Sequence, residues 1–175
     1  VVLIPEPAKG ALFSLQTTAD GLMPRLLANL DVIFPVLHGT FGEDGTLQGL
    51  LEMADVAYVG AGVLGSSVGM DKALFKDVMR TNNIPVLDSI ILSRAQIEND
   101  IESALKLAET VAGYPLFVKP ANMGSSVGVS KCRSRSDLLE GLLEAARFDR
   151  RVLVERGVRA REIELSVLGN DQPKA

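Results

Sequence analysis

A lysine and a glycine-rich loop follow one another in the second half of the sequence. Residues 116–118 are apolar and typical of a buried strand, and Lys119 ends that run. The flexible loop that follows contains Gly124, Ser125, Ser126, Val127 and Gly128. The backbone N–H groups of such a lid can close over phosphate oxygens, and Lys119 would place an ammonium group beside the same oxygens. The alternative is an ordinary hairpin with a solvated lysine.

Lys72 and His38 are two further candidates for chemistry. Lys72 lies in the first turns of a helix predicted over 66–82, where its charge opposes the helix dipole unless an anion is nearby. His38 opens a polar, glycine-rich loop directly after a predicted strand, which is the usual place for a site in an α/β sheet. It is the only histidine and so has no histidine partner for a metal site. The alternative is that it satisfies hydrogen bonds of the loop.

Residues 60–65 match the G-x-G-x-x-G fingerprint of dinucleotide-binding proteins. The strand before them is very short, and no acidic residue ends a second strand about 20 residues later, where a ribose partner belongs. We therefore prefer a tight turn between a strand and a helix to a dinucleotide site.

The elements that must position these residues alternate between strands and helices, which indicates an α/β fold. The predicted strands are 31–37, 57–59, 86–92, 116–119, 129–132, 151–155 and 162–168. The predicted helices are 46–55, 66–82, 97–112 and a helix capped by Ser136 that runs to 146. Ser93 and Gln96 form a capping box before the third helix, and residues 1–30 predict no element.

The composition indicates a globular protein. The chain has 175 residues, of which 47% are apolar, and a formal charge of −4. No apolar run reaches the length of a membrane span, and the start has neither a signal-peptide pattern nor an initiator Met, so we expect it to lie inside a longer protein. Arginine and lysine cluster over 131–161, but alternating acids and scarce aromatics favour a mixed solvated surface, with a few bases facing a polyanionic small molecule, over a nucleic-acid groove.

Cys132 is the only cysteine, so no internal disulfide can form. This favours a reducing, cytoplasmic compartment. Its position between Lys131 and Arg133 leaves an activated thiol open. We favour a strand cysteine packed against a helix.

Three motifs in this order resemble the D-alanine–D-alanine ligase family, ATP-grasp enzymes of bacterial cell-wall synthesis. They are HGTFGEDGTLQG at 38–49, GMDK at 69–72 and FVKPANMGSSVG at 117–128. The resemblance implies an α/β ATP-grasp fold: a partial N-terminal α/β domain at 1–61, a central ATP-grasp subdomain at 62–157 and the first strand of a C-terminal subdomain within 158–175. It also implies a cytoplasmic enzyme with ATP and D-alanine as partners, and it leaves a homodimer open.

The resemblance assigns the phosphates of ATP to two lysines. Lys72 and Lys119 would contact them, and the lid from Gly124 to Gly128 would fold over them. Ser125 and Ser126 would hold the substrate groups and the lid, although serines in such a loop are by default turn formers.

The remaining implied contacts concern D-alanine, adenine and ribose. His38 would lie near the first D-alanine. Adenine would meet Glu155 and the backbones of Arg156 and Val158, and Glu162 would accept hydrogen bonds from the ribose. By default, both glutamates would be exposed carboxylates at a strand edge.

In this family ATP phosphorylates the carboxylate of one D-alanine, and the amine of a second attacks the acyl phosphate. The Mg²⁺ ligands are expected downstream of residue 175, so we expect no metal site here and no activity from the chain alone. The alternatives are a ligase that joins D-alanine to D-lactate or D-serine, a non-catalytic nucleotide-binding module and a dinucleotide-dependent oxidoreductase. Neither nucleic acid nor a membrane is expected as a partner.

Overall fold

The computed structural model describes residues 2–3 and 10–175, so part of the expected domain at 1–61 lies outside the described residues. The strands are β1 (Val2–Leu3), β2 (Ala11–Thr18), β3 (Gly21–Asn29), β4 (Val32–Ile33), β5 (Ala57–Tyr58), β6 (Ser89–Ser93), β7 (Leu116–Pro120), β8 (Ser130–Cys132) and β9 (Arg151–Arg156). The helices are α1 (Thr46–Met53), α2 (Val63–Met70), α3 (Lys72–Thr81), α4 (Arg94–Asn99), α5 (Ile101–Glu109) and α6 (Arg135–Phe148). Within these residues, every helix is too short or too polar to cross a membrane.

The first sheet is antiparallel in the order β1-β2-β3. The sequence predicted no element over 1–30, and the structure places a long hairpin there. Its second strand, β3, is exposed along its whole length, so no alternation of buried and exposed residues marks it. Pro24 is tolerated because β3 is the edge strand, where a missing N–H costs little.

A parallel pair, β4 and β5, is joined by α1. The buried apolar residues of this small unit include Leu51, Ala54 and Val56. The strand predicted over 31–37 is confirmed only at Val32–Ile33, because its partner β5 has just two residues. The loop that begins at His38 therefore leaves the carboxyl end of this unit.

The central sheet is antiparallel in the order β6-β9-β7-β8. Its core face carries Leu116, Val118, Val152 and Val154, which are fully buried against α4, α5 and α6. The opposite face carries the alternate residues Phe117, Lys119, Leu153 and Glu155. We call it the cavity face, because the last three of these residues line a cavity. The predicted strands at 116–119, 129–132 and 151–155 are confirmed within one or two residues.

The helix predicted over 66–82 is two helices, because Asp71 has an extended backbone between α2 and α3. Its carboxylate accepts a hydrogen bond from Leu74 N at 3.0 Å and thereby caps α3. This break makes Lys72 the first residue of α3.

The helix predicted over 97–112 is interrupted in the same way at Asp100. This residue accepts from Ser103 N at 3.0 Å and caps α5, which ends at Glu109. The capping box of Ser93 and Gln96 is confirmed at the start of α4. The last predicted helix is confirmed as α6, with Ser134 as its cap instead of Ser136.

The strand predicted over 162–168, as the first strand of a C-terminal subdomain, is wrong for this structure. Residues 161–167 are irregular and exposed, and a single bridge joins Leu168 to Lys174. An alternating pattern forms a stable strand only with a neighbour to accept its hydrogen bonds, and the described residues offer this segment none beyond that bridge. The domain boundaries near 61 and 157 stay predictions.

Candidate functional site

Two lysines share one buried carboxylate on the cavity face. Glu155 is 6% exposed. Its Oε1 contacts Lys119 Nζ, and its Oε2 lies 3.0 Å from Lys76 Nζ of α3. Burial alone would raise the pKa of Glu155, but the hydrogen bonds and charges of Lys119 and Lys76 outweigh it and hold that pKa below its usual value. Glu155 is therefore ionised near neutral pH.

Lys72 brings a third ammonium group to this region. Its N–H donates to Ala121 O at 2.9 Å, and its Nζ donates to Met123 O, so it joins α3 to the root of the lid. Burial and the nearby charge of Lys119 lower the pKa of Lys72, although Asp71, Asp149 and Glu155 act in the opposite direction. An anion close to Lys72 would therefore stabilise its charged form.

These groups border a cavity of about 450 Å³. Its charged lining consists of Lys72, Lys76, Lys119 and Glu155. Phe75, Val86 and Leu153 supply apolar walls. Three positive groups facing one carboxylate leave an excess of positive charge, which is the lining expected for a polyanionic ligand with an apolar portion.

The lid, residues 124–128, directly follows Met123, whose carbonyl oxygen accepts from Lys72 at the border of the cavity. Val127 N donates to Gly124 O at 3.1 Å, and Ser125 and Ser126 both have left-handed backbones, with φ of 51° and 59°. Such conformations are unfavourable for residues other than glycine, and they are typical of functional loops. A Cβ on Gly128 would approach Phe148 to 2.7 Å and Pro120 to 2.8 Å, so the far end of the lid is packed tightly while its middle is exposed.

The loop from His38 to Gly45 owes its shape to its own acidic residues. Glu43 accepts from Gly39 N, and Asp44 accepts from Phe41 N at 2.9 Å and from Thr46 N at 3.0 Å. Burial opposes these bonds but does not outweigh them, so the pKa of Asp44 lies below its usual value. His38 itself is exposed.

This loop contacts the root of the lid. A Cβ on Gly124 would lie 3.1 Å from Gly39 Cα, and Thr40 Oγ1 donates to Met123 Sδ at 3.7 Å. His38 therefore lies on a loop that touches the lid, although 83 residues separate Thr40 from Met123. The structure thus brings the three sequence motifs together.

Three predicted site residues do not line the cavity that Lys72, Lys76 and Lys119 border. Arg156 faces Asp88, with 3.7 Å between Nη1 and Oδ2. Val158 is 47% exposed and lines a separate hollow of about 430 Å³ with Phe117 and Lys131. Glu162 lies in the exposed irregular segment. Glu155 differs from the default expectation of an exposed edge carboxylate, because it is buried between lysines.

Lys76 was missed by the sequence reasoning. It lies four residues after Lys72, and residues four apart share one face of a helix. This spacing was the available signal, but it predicts only that the two lysines are neighbours. The carboxylate that holds Lys76 comes from a strand 79 residues later in the chain and could not be inferred from the spacing.

Cys132 is fully buried, and Gly141 of α6 packs against it: a Cβ on this glycine would approach Cys132 Sγ to 3.0 Å. Burial, with a smaller contribution from Asp137, raises the pKa of the Cys132 thiol to about 11. The expected packed cysteine is confirmed, and the activated thiol is wrong because a thiolate would be strongly disfavoured here.

The described residues do not fit a Mg²⁺ site. Among residues 2–3 and 10–175, no group of three or more His, Cys, Asp or Glu side chains could hold a metal ion. Asp44, Asp71 and Asp149 have their carboxylates engaged by backbone N–H groups or by Arg151. Among the described residues, the site therefore consists of ammonium groups, the Glu155 carboxylate, the lid and apolar walls.

The chain resembles known ligases over most of its length. It is 44% identical to the D-alanine–D-alanine ligase of Natranaerobius thermophilus over 174 residues, which cover 99% of this chain and 46% of that protein. Among solved structures, the D-alanine–D-alanine ligase of Coxiella burnetii matches with a TM-score of 0.77 and 38% identity, over 91% of this chain and 48% of that one. The VanG D-Ala:D-Ser ligase of Enterococcus faecalis matches with a TM-score of 0.76 and 34% identity, over 93% and 47%.

The central sheet, its lid and the lysines that line the cavity lie in an ATP-grasp fold, which these structural relatives share. Models of the D-ala D-ala ligase N-terminus and C-terminus match residues 12–61 and 78–175. The chain belongs to the D-alanine–D-alanine ligase family. It spans about half the length of the curated relatives it matches.

Proposed function

We propose that this chain is the nucleotide-phosphate-binding part of an ATP-dependent ligase that joins two D-alanines for peptidoglycan precursor synthesis. One observation carries the proposal: three ammonium groups and a single carboxylate line one cavity, and one of them, Lys72, contacts Met123 O at the root of the glycine-rich lid. A triphosphate matches this excess of positive charge, and backbone N–H groups of the lid would supply further donors to its oxygens.

The nucleotide would lie along the cavity face of the central sheet. Lys72 and Lys119 would bind the phosphates, with residues 124–128 closing over them. The adenine would lie toward Phe117 and Val158, where an aromatic ring and apolar surface line the adjacent hollow. Glu155, the backbone of Arg156 and Glu162 would complete the adenine and ribose contacts, as the family resemblance implies.

The reaction is a phosphoryl transfer followed by an acyl transfer. A carboxylate oxygen of the first D-alanine forms a bond to the γ-phosphorus while the bond from that phosphorus to the ADP oxygen breaks. The amine of the second D-alanine then attacks the acyl carbon, loses a proton, and inorganic phosphate leaves with the carboxylate oxygen. Lys72 and Lys119 would neutralise the charge on the phosphate oxygens, while Ser125 and His38 would position the substrate.

Magnesium would assist this family's reaction by neutralising phosphate charge, but the described residues do not fit a metal site. A cytoplasmic location agrees with the single cysteine, which permits no internal disulfide. A homodimer is also part of the proposal and would be checked by light scattering.

The test measures ATP binding by calorimetry on the protein in its natural full length. Lys119→Ala should weaken ATP affinity by about tenfold or more, because a charge-assisted hydrogen bond to phosphate is lost. Lys106→Ala, at an exposed position on α5, is the matched control and should leave the affinity unchanged. Binding of NAD without binding of ATP would overturn the proposal in favour of the dinucleotide interpretation.

Phosphate release separates the catalytic alternatives. A D-alanine–D-alanine ligase releases phosphate from ATP with D-alanine and not with L-alanine. The similar fit to the D-Ala:D-Ser ligase structure, with TM-scores of 0.76 and 0.77, makes D-serine the second substrate to compare, followed by D-lactate. ATP binding without phosphate release would leave a non-catalytic nucleotide-binding module.

A further inference from the structure

Glu155 has two cationic partners, and each holds a different oxygen. Lys119 contacts Oε1 from the neighbouring strand, and Lys76 lies 3.0 Å from Oε2. Lys76 is itself fixed, because its Nζ also donates to Leu87 O at 3.3 Å and its side chain is only 12% exposed. The carboxylate would therefore stay paired if either lysine left.

The proposed function requires Lys119 to leave the Glu155 carboxylate or to contact both this carboxylate and ATP. Its ammonium group would contact the ATP phosphates, yet in the free protein it is held by a carboxylate that is 6% exposed. Removing the partner of a buried charge is strongly unfavourable when nothing replaces it. ATP would then have to compete with Glu155 for Lys119.

We propose that Lys76 is a positioning residue that retains the Glu155 carboxylate so that Lys119 can transfer to the triphosphate. This inference rests on the proposed function of the cavity. Lys76 acts through Glu155 and does not itself bind phosphate. Its place on α3, one turn after Lys72, sets it on the same side of the helix as the cavity.

The first measurement compares ATP with adenosine. Lys76→Met should weaken ATP affinity by about tenfold, because Glu155 then retains Lys119 as its sole ammonium partner. Adenosine affinity should stay within about twofold, since a ligand without phosphates does not recruit Lys119. Lys76→Arg should retain ATP affinity because a guanidinium group also pairs with a carboxylate. An equal loss for ATP and adenosine would overturn the proposal, because it would mean that Lys76 only maintains the cavity.

The second measurement removes the carboxylate. In a Glu155→Gln background, Lys76→Met should change ATP affinity by less than about twofold, because no charge remains to compete for Lys119. A renewed tenfold loss would overturn the proposal and identify Lys76 as a direct phosphate ligand. Lys106→Met is the surface control and should have no effect.

The two proposals fail in different ways. If the unaltered protein does not bind ATP, or if Lys119→Ala binds it normally, the proposed function is overturned. If the protein binds ATP through Lys119 but Lys76→Met binds it as tightly as the unaltered protein, only the positioning role of Lys76 is overturned.

Discussion

The two faces of the central sheet come from the same strands and differ in what they bury. On the core face, Val118 and Val154 are paired across β7 and β9, and both are fully buried among apolar side chains. On the cavity face, the adjacent residues Lys119 and Glu155 bury charge. Apolar burial stabilises the fold directly, whereas a buried ion pair has to overcome the desolvation of both partners.

This difference separates an apolar face from a charged face within one sheet. The core face needs no ligand, because α4, α5 and α6 cover it. The cavity gathers like charges: burial and the nearby charge of Lys119 lower the pKa of Lys72. Glu155 balances part of this charge, and an anion in the cavity would balance more of it. The following substitutions test whether the two faces are as distinct as the structure indicates.

The largest effect is expected on the core face. Leu142→Ala in α6 should reduce the free energy of unfolding by about 2–5 kcal/mol, because a fully buried side chain leaves a void. Leu143→Ala, one residue later and 48% exposed, is the matched control and should cost less than about 1 kcal/mol. Urea denaturation measures both. Equal losses would contradict the assignment of one side of α6 to the core.

A substitution in α3, at the border of the cavity, should separate stability from affinity. Lys72→Met removes a part-buried ammonium group whose pKa is lowered by burial and by Lys119. The free energy of unfolding without nucleotide should stay unchanged or rise by up to about 1 kcal/mol, while ATP affinity should fall by about tenfold or more. Urea denaturation and calorimetry check the two quantities. A large loss of stability would mean that Lys72 belongs to the structural framework.

The smallest effect is a pH dependence that belongs to Glu155. Its folded-state pKa is lowered, so its ionised form contributes stability above its unfolded pKa of about 4.5, and this contribution is lost as the pH falls through the folded pKa. The difference in unfolding free energy between the unaltered protein and Glu155→Gln should therefore be largest near neutral pH and shrink below about pH 4.

Glu140→Gln, at an exposed position on α6, controls for the pH experiment. It should differ little from the unaltered protein at any pH. The carboxylates of Asp44, Asp100, Glu109 and Asp137 also have lowered pKa values, but they are present in every variant and cancel in the comparison. A constant difference for Glu155→Gln from neutral to acid pH would contradict the ionised pairing.

Local signals were enough to predict the segment that carries the lid. An apolar run ending at Lys119, two glycines in five residues and a second short run specify strand, loop and strand without tertiary information. The breaks at Asp71 and Asp100 were not predicted, because apolar residues continue at helical spacing across both. An aspartate in such a run can face solvent within one helix or cap the next, and only the tertiary structure decides between them.

The site was predictable to the extent that its motifs are local. The spacing of residues could not show that Gly39 touches Gly124 or that Glu155 holds two lysines, because these contacts join distant parts of the chain. The family resemblance implied that Lys72, Lys119 and the lid converge on the phosphates of ATP, but not that Glu155 pairs with two lysines. The hairpin formed by β2 and β3 was missed for a different reason, since its exposed strand carries no alternating pattern.

The contact between Gly39 and Gly124 sets how closely the loop that carries His38 can approach the lid. The Cβ of an alanine at position 124 would lie 3.1 Å from Gly39 Cα, closer than carbon atoms usually approach. An added methyl group would therefore push the loop that carries His38 and the lid apart by a few tenths of an ångström. The spacing between the loop that carries His38 and the lid is thus limited by the absence of side chains at these two glycines.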